Sequence, residues 1–201
     1  ISGTELRRQP NADWQTSNVL TAQACQRIAL IGAESTGKTT LGQWLAQQRQ
    51  WHWVAEYGRE HWHKKGGVLT SDDLLTIARV QVERENMAVA EALEQGKTAI
   101  VCDTTPLTTL IYHQLMFADP PPAELRALAE RPYHQLWFCA PDFPLFQDGT
   151  RMPESFRQRQ HAHYLQELAH RELPVQHLQG PIEDRKQRLL RLTSESTLGS
   201  A

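Results

Sequence analysis

Gly32-Ala33-Glu34-Ser35-Thr36-Gly37-Lys38-Thr39 fits the pattern G-x-x-x-x-G-K-[ST], and the rest of the chain is best read outward from it. On its upstream side, Arg27-Ile28-Ala29-Leu30-Ile31 predicts a short buried strand. On its downstream side, Leu41, Trp44 and Leu45 fall at the i, i+3, i+4 spacing of a helix with one apolar face. That order suits a phosphate-binding P-loop. Glycines let the chain curl so that successive N–H groups face phosphate oxygens, and the helix N-terminus adds the positive end of its dipole. Gly32, Glu34, Ser35, Thr36, Gly37, Lys38, Thr39 and Thr40 are the candidate ATP-binding residues. Lys38 is expected at the β/γ-phosphates and Thr39 on Mg²⁺.

Bulk properties bound the classes. The chain has 201 residues, 40% hydrophobic and 22% charged, with a net charge of -2. This suits a single cytoplasmic domain with a sizeable core, and gives no basic excess that would argue for nucleic acid as a partner. No apolar run reaches 18 residues, which excludes a membrane-spanning helix, and no signal-peptide order opens the sequence. Cys25, Cys102 and Cys139 are odd in number and widely spaced, as reduced core thiols would be. His61-x-His63 and His161-x-His163 place their rings on different faces of a helix, so neither pair makes a zinc site.

Beyond the P-loop, strands and helices alternate. Strands are predicted at Trp51–Ala55, Lys97–Cys102, Gln135–Ala140 and Val175–Leu178. Helices are predicted over Arg59–Lys64, from a Thr70/Asp73 capping box to about Glu94, and over Leu107–Phe117, Ala123–Glu130, Glu154–Glu172 and Ile182–Leu192. The expected fold is α/β, a P-loop NTPase of the nucleoside- and nucleotide-kinase kind, with a five-stranded parallel sheet covered by helices on both faces. Residues 26–193 form the domain and residues 194–201 a flexible tail.

Ligands of open α/β sheets bind at the carboxyl ends of strands, and Glu56 and Asp103 both close predicted strands. Asp103 follows an apolar run in the manner of a Walker B acid holding Mg²⁺, although such an Asp also caps a following helix. Glu56 is placed to accept a proton from a substrate hydroxyl, or else to pair with Arg59 or Lys64. The loop through Asp148-Gly149-Thr150-Arg151, continuing to Phe156-Arg157-Gln158-Arg159, reads as an arginine-bearing lid. Arg151 is its first candidate for the γ-phosphate and Arg157 or Arg159 its second. The run Arg185, Lys186, Arg188 and Arg191 reads as the solvated face of a terminal helix.

Taken together, the P-loop, Glu56-Tyr57-Gly58-Arg59-Glu60, Asp103-Thr104 and Asp148-Gly149-x-Arg151 resemble the ribosylnicotinamide kinase domain of the NadR-type bifunctional NAD-salvage proteins, over about residues 26–192. The resemblance implies transfer of the γ-phosphate of ATP to the 5′-hydroxyl of ribosylnicotinamide. In that reading Lys38, Glu56, Asp103 and Arg151 are catalytic, and Glu56, Tyr57, Arg59 and Asp103 meet the nucleoside. Ile1-Ser2-Gly3-Thr4-x-x-Arg7 resembles the end of the adenylyltransferase domain of those proteins, which makes residues 1–25 a remnant or linker from that domain. Such family members place a Trp before the Glu-Tyr-Gly-Arg-Glu segment. Here Ala55 stands there, with Trp53 and Trp62 as nearby aromatics, and strand alternation puts Trp53 on the face of Ala55. A nucleotide-dependent regulatory ATPase or switch, and a kinase for another nucleoside, are the alternative readings.

Overall fold

The computed structural model describes residues 25–145 and 152–198. The expected N-terminal remnant with Ser2, Thr4 and Arg7, and the lid residue Arg151, lie outside the described residues. The P-loop strand β1 (Gln26–Ile31) is followed by α1 (Lys38–Arg49), β2 (His52–Val54), α2 (Tyr57–Lys64) and α3 (Ser71–Glu94). Then come β3 (Ala99–Asp103), α4 (Pro106–Met116), α5 (Ala123–Leu128), β4 (Gln135–Cys139), α6 (Glu154–His170), β5 (Val175–Leu178) and α7 (Ile182–Leu198). All five strands are parallel, in the order β2-β3-β1-β4-β5.

Strand alternation divides the core into two layers. Ala29 and Ile31 of β1 join Ile100, Cys102 and Phe138 beneath α3, α4 and α6. Ile28 and Leu30 turn the other way, with Val101 and Trp137, against Leu41 and Leu45 of α1 and Leu189 of α7. Side chains two residues apart share a sheet face, and both faces here are covered. This is why β1, β3 and β4 carry apolar runs, while the edge strand β5 leaves Gln176 and His177 exposed. Cys25, Cys102 and Cys139 are buried and free. Among the described residues no helix is long and apolar enough to cross a membrane.

Trp53 belongs to the second layer. A Cβ at Gly42 of α1 would stand 2.3 Å from its ring, so the helix needs a glycine for β2 to approach. The capping box forms as expected: the Asp73 N–H donates to Thr70 Oγ1 at 3.2 Å, and the Thr70 N–H donates to Asp73 Oδ2 at 2.9 Å. The last helix departs from expectation, running past Leu192 to Leu198 through residues expected to be a mobile tail. Arg49 of α1 donates to Leu190 O and Ser194 Oγ, each at 2.6 Å. Such tertiary docking, more than propensity, keeps most protein helices formed.

Candidate active site

Three strand ends build the site. At Gly32 φ is +140°, and a Cβ there would lie 2.6 Å from the Cys139 carbonyl oxygen of β4, so the P-loop can turn here only with glycine. Gly37, at φ +82°, then precedes α1 and turns the first helical N–H groups into the loop. The Lys38 ammonium lies across the curl, donating to Gly32 O at 3.0 Å and Ala33 O at 2.7 Å. Parallel pairing sets Leu30 opposite Asp103, which carries the acid to the root of the loop. The Thr39 hydroxyl donates to Asp103 Oδ2 at 2.6 Å.

Asp103 is 2% exposed, and its Oδ1 has no hydrogen-bond partner. A buried carboxylate oxygen left unpaired is costly, and its position beside the Thr39 hydroxyl fits a hard cation. Mg²⁺ suits such a sparse donor set, because it completes its shell with waters and phosphate oxygens. Among the described residues no group of three or more His, Cys, Asp or Glu side chains forms a metal cluster.

Glu56, between β2 and α2, keeps part of its surface open to the cavity while protein crowds its carboxyl. Burial, then the charge of Asp103, push that carboxyl up to about 7, against the opposing pull of Lys38 and Arg59. Burial likewise raises Asp103, with Lys38 and the Thr39 hydrogen bond pulling it back. Two acids facing one lysine share a site that does not favour two negative charges.

A cavity of about 310 Å³ opens beside Lys38, Thr39 and Glu56, while Asp103 lies behind Thr39 and is not among its lining residues. Gly32, Glu34 to Thr40, Glu56, Gly58 and Arg59 line it at the phosphate end. The rest of the lining includes the apolar side chains of Trp62, Leu69, Leu74, Ile77 and Met116 and the polar ones of Thr104, Thr108, Thr109 and Tyr112. Trp53 and Ala55 are not among the lining residues. The lining aromatics are Tyr112 on α4 and Trp62 on α2, the latter packed against Gly67, whose Cβ position is 3.0 Å from its ring. Tyr57 also falls outside the lining. Its ring lies under the Arg84 guanidinium at 4.5 Å, and its hydroxyl is 3.2 Å from His61 Nδ1.

The arginines differ most from expectation. Arg157 is 2% exposed, with Nε donating to Glu34 O at 2.9 Å, Nη2 to Phe143 O at 2.8 Å and Nη1 to Glu154 at 3.2 Å. It is fastened beneath the P-loop rather than held out as a mobile phosphate ligand, because α6 docks on the sheet through this face. Arg159 is exposed, its guanidinium 5.7 Å from the Phe156 ring. Arg185, expected on a solvated face, is fully buried. It donates to Thr36 O and Ala140 O at 3.1 Å, to Gly180 O at 2.8 Å, and to Asp142.

Sequence reading missed Gln160, Tyr112 and Arg185. Gln160 accepts the Glu34 N–H at 2.9 Å, and the Tyr112 hydroxyl donates to the Glu34 carboxylate. No spacing rule ties residues 78 to 149 positions apart in the chain to one loop.

A family model described as an AAA domain matches residues 27–188. The chain belongs to that AAA-domain family. Solved structures similar to this AAA domain include a NadR protein in complex with NR, at 21% identity and a TM-score of 0.70, covering 91% of this chain and 55% of that one. Another NadR protein structure, in complex with NAD and AMP-PNP, aligns at 18% identity and TM-score 0.68, covering 88% of this chain and 51% of that one. Thymidylate kinase from Ehrlichia chaffeensis aligns at 14% and 0.60, covering 84% and 98%. The chain thus spans about half the length of the NadR chains. No curated protein matches it by sequence. These likenesses establish the P-loop kinase-like fold of the domain.

Proposed function

We propose that this AAA domain is an ATP-dependent kinase that phosphorylates the 5′-hydroxyl of ribosylnicotinamide. The observation that carries the reading is that Glu56 lines the same cavity as Lys38 and the P-loop, with burial pushing its carboxyl up. A general base must be within hydrogen-bond reach of the proton it takes, with a pKa near working pH. Glu56 accepts the 5′-hydroxyl proton as the O5′–Pγ bond forms. The bond from Pγ to the β,γ-bridging oxygen breaks, and ADP leaves. Lys38 swings from the loop carbonyls to the β/γ-phosphates. Thr39 and Asp103 would hold Mg²⁺, which would supply positive charge against the phosphates. Arg151 and the proposed adenylyltransferase remnant at residues 1–25 keep the roles that the resemblance implies.

Two features favour a nucleoside over a nucleotide acceptor. The cationic lining side chains among the described residues are Lys38 and Arg59, while Glu34 and Glu56 face the same space. A second phosphate would meet carboxylates there, whereas the pyridinium of ribosylnicotinamide is a cation that a Trp face attracts. Trp62 offers that face.

The test is a radiolabelled-ATP screen over ribosylnicotinamide, uridine, thymidine, thymidine monophosphate and water. Ribosylnicotinamide should give the highest kcat/KM. Comparable turnover of a pyrimidine nucleoside would move the activity to another nucleoside, and hydrolysis without transfer would point to a regulatory ATPase.

A further inference from the structure

Glu34 sits inside a loop whose backbone collects anions, where a carboxylate turned inward would repel phosphate. The structure holds it elsewhere. On α6, Arg157 and Gln160 stand one helical turn apart, 2% and 1% exposed, and take the two main-chain polar groups of this one residue. Arg157 Nε donates to Glu34 O at 2.9 Å, and Gln160 Oε1 accepts its N–H at 2.9 Å. With both backbone groups fixed, the side chain leaves the loop in one direction. Its Oε1 accepts the Tyr112 hydroxyl of α4, and its Oε2 accepts the Met152 N–H at 3.1 Å.

That direction is toward the acceptor side. Glu34 and Tyr112 both line the cavity. Glu34 contributes to raising Glu56, and Glu56 to raising Tyr112, so the three groups lie within electrostatic reach of one another. The lining therefore carries two kinds of group: Glu34, Tyr112 and Thr109 are polar, and Trp62, Leu69 and Ile77 are apolar. A ribonucleoside has the same division, with a cis-diol on the sugar and an apolar ring face on the base. Each carboxylate oxygen keeps a second lone pair after its protein hydrogen bond.

We propose that Glu34, braced by Tyr112, accepts hydrogen bonds from the 2′- and 3′-hydroxyls of the acceptor and selects ribonucleosides over deoxyribonucleosides. The inference rests on the nucleoside-kinase reading and moves Glu34 from the ATP side of the site to the acceptor side. A pocket that bonds a hydroxyl disfavours the analogue lacking it, because the charge-assisted hydrogen bond to the carboxylate is lost.

Steady-state kinetics with ribosylnicotinamide and its 2′-deoxy and 3′-deoxy counterparts, on wild type, E34Q and Y112F, test it. For wild type, kcat/KM should fall about tenfold or more on removal of either hydroxyl, as a charge-assisted hydrogen bond implies. E34Q should raise the acceptor KM by about tenfold and narrow the ribo/deoxy ratio, with the KM for ATP little changed. Y112F should move the same ratio in the same direction by less. Equal use of deoxy acceptors by wild type would overturn the inference while leaving the kinase reading intact. So would discrimination that survives in E34Q, or a KM for ATP that rises as much as that for the acceptor. Absence of transfer to every nucleoside would overturn both.

Discussion

The two ends of the cavity are made differently. The phosphate end is a contiguous stretch, residues 32–40, whose working groups are largely main-chain N–H donors with Lys38 and Thr39 added. The acceptor end is assembled from side chains of α2, α3 and α4, with Glu34 reaching across from the loop. Backbone recognition depends on loop geometry and tolerates much variation around it, whereas side-chain recognition changes with single substitutions. Damage at the first end should thus reduce turnover of every acceptor alike, and damage at the second should change which acceptor is used.

Lys38→Ala should have the largest effect. Removing a charge aimed at the transferring phosphoryl group costs on the order of 10³-fold in kcat, measurable by the radiolabel assay with all acceptors. An acceptor-dependent loss would break the comparison at once.

Glu56→Gln comes next, because it lies where the two ends meet. It should lower kcat by roughly 10²-fold, the scale of a lost general base. The wild-type rate should fall as pH drops below about 7, where the carboxyl takes up its proton, and this acid limb should vanish in the variant. The same shift has a stability consequence. The folded carboxyl titrates above its unfolded value, so the folded state binds its proton more tightly and loses stability as pH rises through about 7. Urea melts should therefore find Glu56→Gln more stable than wild type at pH 8 though far less active. A less stable variant would make Glu56 structural.

Arg157→Ala tests whether the ends are independent at all. It leaves Glu34 O and Phe143 O without their donor. Losing hydrogen bonds from a buried charge should cost about 3 kcal/mol by urea unfolding. It should also raise KM for ATP and acceptor together, since both depend on the loop it holds. An effect on ATP alone would assign Arg157 to the nucleotide.

The smallest effect separates the tryptophans. Trp62→Ala should raise the ribosylnicotinamide KM by about fivefold, the scale of one aromatic or cation–π contact, with Trp62→Phe recovering most of it. Trp53→Ala should leave that KM alone and lower the melting temperature, because its ring fills the space over Gly42. Reversed results would restore Trp53 as the ring contact.

Much of this was legible in the sequence for a local reason. The P-loop, the Thr70/Asp73 capping box and the acid closing β3 are patterns of residues near one another in the chain, and short-range backbone geometry enforces them. Arg185 was read as facing water because charged residues on a polar helix ordinarily do, and Arg157 as a lid arginine because it follows the Asp148-Gly149-Thr150-Arg151 loop. Their burial depends on carbonyls at Glu34, Phe143, Thr36 and Ala140 that other elements bring to them. The choice between Trp53 and Trp62 was open in the sequence for the same reason. Alternation correctly paired the face of Trp53 with that of Ala55, but only the packing of α1 decided that this face lies away from the cavity.

By itself, then, the sequence determined the order of strands and helices, the phosphate loop and the acids that face it, because each is set by residue type at fixed local spacing. The tertiary structure alone decided which aromatic lines the acceptor pocket, which arginines are structural, and where the Glu34 carboxylate points. Those outcomes turn on contacts between residues tens to more than a hundred positions apart, whose proximity no local period encodes.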